Sequence, residues 1–197
     1  MVYINQEVKI LMHNGTQKLD TERLILRRFK PSDAEYMFKN WATDCEVSKF
    51  LSWNPHKDLN VTRQIVDGWL NDYDKNNCYN WAIELKDFGE IIGQISVVSL
   101  SEKYCSCEIG YALGRLFWGK GIMTEALKAV IGYLFNEIGM NRIEAKHNTL
   151  NPASGRVMQK SRMKHEGILR QVQVDKNGNY NDLAVYSILK SEYNEVK

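Results

Sequence analysis

The sequence predicts an α/β (α+β) fold with a single mixed, mostly antiparallel β-sheet flanked by helices. The first observation is that strand-like and helix-like patterns follow one another in the order β, α, α, β, β, β, α, β, α, β, β. The second is that 197 residues, 44% of them hydrophobic, provide one sizeable core but not two full domains. We therefore expect one domain over residues 19–193, preceded by an extension of residues 1–18.

The extension is mixed and polar, so we interpret it as a frayed, disordered tail rather than as an added edge strand. Residues 23–29 alternate between apolar and polar side chains, as a half-buried strand does. Ser32 and Glu35 have the spacing of a capping box, which predicts the start of a helix.

The middle of the chain predicts a helix and then three strands. Apolar residues recur at helical spacing over residues 61–73. Residues 81–85 and 91–100 alternate as strands and are separated by a short turn that contains glycine, which predicts a hairpin. Residues 107–113 alternate in the same way and form the third strand.

The last part of the chain predicts the strongest helix and a closing hairpin. Residues 122–138 repeat apolar side chains at i, i+3, i+4 and i+7, and a strand follows at residues 142–146. A short helix is expected to begin at Asn151, because Pro152 is tolerated in the first turn. Residues 169–174 and 182–189 flank an Asn-Gly turn and predict a β-hairpin.

Charge and cysteine content restrict the function classes. The 26 Lys and Arg residues nearly balance 24 Asp and Glu residues, which argues against a nucleic-acid binder that relies on a large positive field. The distribution is uneven, however: residues 112–170 carry ten basic residues and four acids, whereas residues 31–74 carry four basic residues and eight acids. Four scattered cysteines lack the spacing of a zinc site, so we expect reduced thiols and no metal. No signal peptide or long apolar run is recognisable, so we expect a cytoplasmic protein that does not bind a membrane.

Gly119 and Gly121 form a turn between a predicted strand and the strongest predicted helix. Such a turn directs unpaired backbone N–H groups and the positive end of the helix dipole toward one place, which predicts a phosphate or pyrophosphate site. The alternative is a tight turn in which the glycines serve only a steric purpose. Two familiar nucleotide loops do not fit, because Gly121 replaces the Ser or Thr of a P-loop and Thr124 replaces the third glycine of a dinucleotide fingerprint.

Three segments carry a resemblance to a known family. Residues 108–111 (EIGY), 118–126 (WGKGIMTEA) and 151–160 (NPASGRVMQK) resemble the GCN5-related N-acetyltransferases (GNAT), most closely their RimJ/RimL-type branch. The resemblance extends to residues 19–29 and to the closing segment 186–193, and so covers nearly all of residues 19–193.

The resemblance implies the GNAT acyl-CoA N-acyltransferase fold and transfer of an acetyl group from acetyl-CoA to a primary amine. It implies that strand 108–113 is bulged and separates from strand 142–146, so that the pantetheine arm of CoA pairs with it. The residues implied in CoA binding are Ala112, Leu113, Trp118, Gly119, Lys120, Gly121, Met123, Thr124, Asn151, Ser154 and Lys160.

The chemistry of amine acetylation needs three groups. A base must take a proton from the acceptor ammonium, and Glu108 matches the family position; the alternative is a strand-edge glutamate paired with a lysine. The backbone N–H of Leu113 is the candidate donor to the oxyanion. Ser154 is the candidate that returns a proton to the CoA thiolate, although it can equally be a helix cap or a CoA contact.

Several points stay open in the sequence. Arg162 replaces a glycine that ends a helix in the family, at a cost of about 1 kcal/mol if its φ is positive. Trp53 is a candidate wall of the acceptor site, with core packing as the alternative. The acidic segment 31–74 is a candidate border of the same site, with solvated helix faces as the alternative. A cationic acceptor would be a protein N-terminus, a polyamine or another small amine. An inactive acetyl-CoA sensor or interaction module on the same fold is the second functional hypothesis, and a homodimer is compatible with the sequence.

Overall fold

A computed structural model describes residues 10–194, and these contain eight strands in one sheet. The strands are β1 (Leu19–Asp20), β2 (Leu24–Arg27), β3 (Asn80–Leu85), β4 (Glu90–Ser101), β5 (Ser106–Leu113), β6 (Arg142–Asn148), β7 (Lys164–Val174) and β8 (Tyr180–Leu189). They lie in the order β1-β2-β3-β4-β5-β6-β8-β7. Every neighbouring pair is antiparallel except β5–β6, so the predicted mixed, mostly antiparallel sheet is confirmed.

Helices cover both faces of the sheet. They are α1 (Asp33–Met37), α2 (Cys45–Ser48), α3 (Leu59–Asp72), α4 (Ile122–Tyr133), α5 (Pro152–Lys160) and α6 (Lys190–Asn194), with π-helical turns at Phe38–Ala42 and Leu134–Ile138 and a 3₁₀ turn at Arg115–Phe117. The apolar side of α4 packs on one face of the sheet, and α1 and α3 pack on the other. The predicted helices and hairpins therefore all form, with boundaries shifted by a few residues. Within residues 10–194, no helix is both long and apolar enough to cross a membrane.

The predicted capping box at the start of α1 is wrong. Ser32 precedes the helix with helical backbone angles, and its side chain makes no capping hydrogen bond. Asp33 instead turns inward, where its buried carboxylate accepts from the backbone N–H of Lys30 at 2.7 Å and from the guanidinium of Arg27. A buried ion pair thus fixes the start of α1 in place of a side-chain cap.

Residues 11–18 pack against the domain. Two of their carbonyl oxygens accept hydrogen bonds from large core side chains, Gly15 from the Tyr133 hydroxyl and Gln17 from the Trp81 indole, both at 2.7 Å. The interpretation of the extension as a frayed tail is therefore wrong for residues 11–18. Residues 1–9 lie outside the part of the chain that the structure describes.

β5 and β6 separate soon after they meet. Only three pairs are in register, from Ser106 opposite Arg142 to Glu108 opposite Glu144, although both strands continue beyond them. We call the opening between the two strands beyond Glu108 the β5–β6 cleft. It confirms the separation that the family resemblance implies.

The bulge that accompanies this cleft lies on β4 rather than on β5, so the prediction of a bulged strand 108–113 is wrong. Val97 pairs with Ile109 and Ser99 pairs with Glu108, which leaves Val98 as the additional residue on β4. An extra residue on one strand of an antiparallel pair increases the local twist. The bulge therefore bends the sheet at the level of Glu108, where β5 leaves β6.

Candidate functional site

The turn at residues 119–121, which we call the phosphate turn, leads directly into α4. Gly119 and Gly121 both have φ of +75°, a left-handed conformation that favours glycine, and Gly121 is the N-cap of α4. The first N–H groups of α4, from Ile122 onward, have no intrahelical partner and face the same side as the positive end of the helix dipole. This geometry is suited to a phosphate or pyrophosphate group.

Two residues next to β2 form hydrogen bonds to the phosphate turn and to the first turn of α4. The Arg23 guanidinium donates to the carbonyl oxygen of Lys120 at 2.9 Å and to the Glu125 carboxylate at 2.7 Å. The Thr21 hydroxyl also donates to Glu125, at 2.6 Å. Burial opposes ionisation of Glu125, but these hydrogen bonds outweigh it and lower the pKa of the carboxyl. Sequence reasoning missed this support, although all three residues lie in segments that carry the family resemblance.

The backbone of Leu113 faces the β5–β6 cleft. Gly93 on β4 is its registered partner, and the neighbouring bond runs from Gly114 N–H to the carbonyl oxygen of Ile92 at 2.8 Å. The Gly93–Leu113 pair is therefore of the type that exchanges no hydrogen bonds, so the N–H and C=O of Leu113 point away from β4. The predicted oxyanion donor thus faces the place where a strand-like ligand would lie.

The other predicted CoA contacts fall into two groups. Lys120 and Thr124 lie at the amino end of α4, and Asn151 and Ser154 lie at that of α5, where Ser154 contacts Tyr111 of β5. Four side chains are placed differently: Met123 is buried in the core, Ala112 packs with the α1 and α3 cluster, Trp118 donates its indole N–H to the Leu113 carbonyl, and Lys160 lies at the far end of α5.

Glu108 lies where the cleft begins, and it is paired. The ammonium of Lys146 on β6 donates to its carboxylate at 2.7 Å and contacts Glu144 at 3.1 Å. Burial opposes the charge of Lys146, but the two carboxylates outweigh it and raise the pKa of the ammonium above its ordinary value. The strand-edge ion pair, which the sequence left open as the alternative to a base, is therefore present in the structure.

Ser154 lies in the first turn of α5, where the Asn151 side chain caps the helix by accepting from the Ser154 N–H at 3.4 Å. Its hydroxyl is 2.9 Å from the phenol oxygen of Tyr111, and either oxygen can be the donor of this bond. The phenol also lies 3.1 Å from the Ser154 carbonyl oxygen, which can accept from it. Burial raises the pKa of Tyr111, although the bond to Ser154 opposes this shift. Tyr111 was not predicted as a site residue, although it belongs to the matched segment EIGY.

The features predicted for the acceptor site are largely structural. The Trp53 ring lies 5.5 Å from that of buried His56 and packs against the α1 and α3 cluster. Five of the eight acids in residues 31–74 have local partners: Asp33 pairs with Arg27, Glu35 with Arg63, Asp44 with Arg115 and Asp72 with Lys75, and Asp58 caps α3. These contacts favour core packing of Trp53 and ordinary solvated helix faces over an acidic border of the acceptor site.

The described residues show no sign of a metal centre. Over residues 10–194, no group of three His, Cys, Asp or Glu side chains could hold a metal ion. All four cysteines lie within this range and are free of disulfides.

Comparison with known proteins agrees with the geometry of this site. Residues 23–164 match the family described as "Acetyltransferase (GNAT) domain". An N-acetyltransferase of Bacillus licheniformis named p20, described as uncharacterized, is 34% identical over 178 residues, which are 90% of this chain and 98% of that protein. The [ribosomal protein uS5]-alanine N-acetyltransferase of Escherichia coli is 28% identical over 159 residues, which are 76% of this chain and 79% of that protein.

A solved structure shows the same fold at lower sequence identity. The ribosomal L7/L12 α-N-protein acetyltransferase RimL, solved in complex with coenzyme A, superposes with a TM-score of 0.80 over 89% of this chain and 99% of that chain, at 22% identity. The cleft and the phosphate turn are therefore parts of a fold that also occurs in a CoA complex.

Proposed function

Because the chain belongs to the GNAT acetyltransferase family and is an acetyl-CoA-dependent N-acetyltransferase, we propose that it acetylates a primary amine by direct attack within a ternary complex. The observation that carries the proposal is the open edge of β5. Leu113 directs its backbone N–H into the β5–β6 cleft, and the phosphate turn follows this strand after the short 3₁₀ turn at Arg115–Phe117. A phosphate-bearing ligand with an extended arm would satisfy both features.

Each step of the transfer has a candidate group in this proposal. Glu108 accepts a proton from the acceptor ammonium while the amine nitrogen forms its bond to the acetyl carbon. The Leu113 N–H donates to the carbonyl oxygen as negative charge develops there. When the carbon–sulfur bond breaks, Ser154 donates a proton to the departing thiolate. The second proton that the amine nitrogen loses returns to Ser154 through the hydrogen bond with Tyr111, so both hydroxyl groups end the cycle protonated.

The phosphate turn supports binding of the CoA pyrophosphate through backbone N–H groups, which need no particular side chain. Lys120 in the turn and Thr124 in the first turn of α4 are the nearby polar side chains, and Asn151 is the polar N-cap of α5. Residues 112–170 carry an excess of six basic residues, which attracts the phosphates of the ligand over a longer range.

For the acceptor, we propose the α-amine of a protein N-terminus as the first class to test. The name of the Escherichia coli relative supports this choice, since it describes N-acetylation of an alanine in a ribosomal protein. Polyamines and other small aliphatic amines are the competing class. The acidic residues of α1–α3 add little support for either class, because most of them are already paired.

The test is an acceptor panel in which release of the CoA thiol is followed with purified protein. Peptides with an N-terminal alanine or serine, the same peptides blocked by acetylation, and polyamines form the panel. We expect thiol release with free N-terminal peptides, none with blocked ones, and initial-rate plots that intersect, as a ternary complex requires. Parallel plots would indicate a covalent enzyme intermediate instead.

A substitution at Glu108 tests the assignment of the base. In Glu108→Gln, we expect kcat to fall by about 10²-fold or more, with the affinity for acetyl-CoA retained. Tight binding of acetyl-CoA without thiol release from any amine would favour a sensor over an enzyme of this specificity. Unchanged turnover in Glu108→Gln would remove Glu108 from the mechanism.

A further inference from the structure

Lys146 lies between two carboxylates at the mouth of the β5–β6 cleft. Its ammonium is 2.7 Å from Glu108 and 3.1 Å from Glu144, and each of these three side chains is about one-quarter exposed. A primary ammonium therefore already occupies the position in front of Glu108 where the amine of an acceptor would have to lie.

Glu144 is held independently of Lys146. Its second carboxylate oxygen accepts from Arg142 at 2.9 Å, and Arg142 in turn forms two bonds to Glu166, at 2.6 and 2.7 Å. The Ser187 hydroxyl on β8 donates to the same Glu166 carboxylate at 2.6 Å. This chain of contacts fixes Glu144 from the side of β7 and β8, so Glu144 can retain Lys146 after Glu108 has released it.

We propose that Lys146 is a positioning residue that holds the Glu108 carboxylate until an acceptor ammonium replaces it, while Glu144 keeps the lysine. The proposal rests on the proposed function, in which Glu108 receives the acceptor. It names the acceptor class by charge: amines that arrive as ammonium ions, such as peptide N-termini and aliphatic amines, and not aromatic amines, which are neutral near pH 7.

Charge balance is the physical reason for the exchange. A partly buried carboxylate without a counter-ion is costly, so Glu108 needs a cation in the absence of an acceptor. Exchange of one ammonium for another leaves the charge around Glu108 unchanged. A neutral amine offers no such compensation, because Glu108 would have no counter-ion once the amine had displaced Lys146.

If the exchange occurs, substitutions of Lys146 and of its partner Glu144 should change the KM for the acceptor in opposite directions. Lys146→Met removes the competing cation and makes the site more negative, so we expect the KM for a peptide acceptor to fall about fivefold. Glu144→Gln removes the second partner of Lys146 and leaves the lysine dependent on Glu108, so we expect that KM to rise by a similar factor. Lys146→Arg keeps a cation on Glu108, and its KM is not lowered.

The experiment measures one peptide with an N-terminal alanine in two ways. The KM is obtained from thiol release, and the dissociation constant from calorimetry on the CoA-bound protein. Lys146→Gln replaces Lys146→Met if the latter does not fold. Opposite shifts in the two variants support the exchange, because a merely structural role would weaken binding in both. Shifts of the same sign, or no shift, would overturn it.

The two proposals fail in distinguishable ways. Turnover by the unsubstituted protein with unshifted constants in the variants would overturn the exchange alone. Peptide binding with opposite shifts but no thiol release would overturn the proposed function alone. Absence of peptide binding, or acetylation of an aromatic amine as readily as of the peptide, would overturn the exchange.

Discussion

The phenol of Tyr111 and the hydroxyl of Ser154 are joined by a hydrogen bond of 2.9 Å that runs from β5 to the first turn of α5, beside the β5–β6 cleft. If both groups pass one proton to the thiolate, their removal should act on the same step. We expect Ser154→Ala to lower kcat by about 10²-fold and Tyr111→Phe by about tenfold, with the KM for acetyl-CoA changed less than threefold. Steady-state rates in H₂O and D₂O measure this effect.

The control for this pair is the double variant. Because the two residues act as a unit, Tyr111→Phe should add little to the loss already caused by Ser154→Ala. If the kcat loss in the double variant equals the product of the two single losses, Tyr111 only supports the packing of α5.

Thr16 tests the role of residues 11–18. Its buried hydroxyl donates to the carbonyl oxygen of Cys78 at 2.9 Å and accepts from the N–H of Asn80 at 2.8 Å. Thr16→Val keeps the shape but leaves both backbone groups unpaired, so we expect unfolding in urea to require about 1–3 kcal/mol less free energy. Thr16→Ser keeps the hydroxyl and should lose much less; equal losses would mean that the hydroxyl contributes nothing.

Arg162 offers a stabilising substitution. It is the left-handed residue of a Schellman motif, with φ of +66°, its own N–H on the Gln159 carbonyl and the Met163 N–H on the Met158 carbonyl. Arg162→Gly should raise the free energy of unfolding by about 1 kcal/mol, because glycine adopts this φ without strain. Arg162→Ala is the matched control, since alanine keeps the Cβ atom and hence the strain; a gain of the same size in both variants would point to the arginine side chain instead.

Glu166 gives a pH dependence of stability. Hydrogen bonds from Arg142 and Ser187 lower the pKa of this carboxyl to about 2. A depressed pKa in the folded protein stabilises it above the pKa of the unfolded chain, near 4.5, and this contribution is lost as the pH falls toward 2. We expect Glu166→Gln to lower the free energy of unfolding by about 1 kcal/mol at pH 7, a modest amount because the side chain is partly exposed. This loss should become smaller as the pH falls from 4.5 to 2.5. Urea unfolding across this range measures the difference, and a cost independent of pH would contradict the assignment.

The sequence predicts those parts of the fold that depend on local patterns. The helix over Leu59–Asp72 and the hairpin of β3 and β4 follow from the spacing of apolar side chains. The family resemblance drew attention to Arg162, which replaces a helix-ending glycine, and left its conformation open; the structure shows a φ of +66°. The glycine turn before α4 was predicted for the same reason, since a local backbone requirement leaves a local signature.

Features that depend on distant contacts were not predictable in this way. Residues 11–18 carry no periodic pattern, because backbone carbonyls and single side chains such as Thr16 hold them rather than a continuous apolar face. The pairing of Glu108 with Lys146 follows from the register of two strands that are far apart in the sequence. The sequence did raise a lysine partner as an alternative, but it could not name which lysine.

The separation of β5 from β6 also bears on aggregation. Unpaired backbone groups at the rim of a sheet invite strands from other molecules, and proteins usually cover or charge such edges. Here the backbone N–H of Leu113 lies inside the sheet, on the side of β5 that faces β6, and the Leu113 carbonyl already accepts from the Trp118 indole. A slender chain can reach this N–H, whereas the broad flat edge of another sheet cannot. The protein thus keeps an edge available for a ligand without offering it to neighbouring copies.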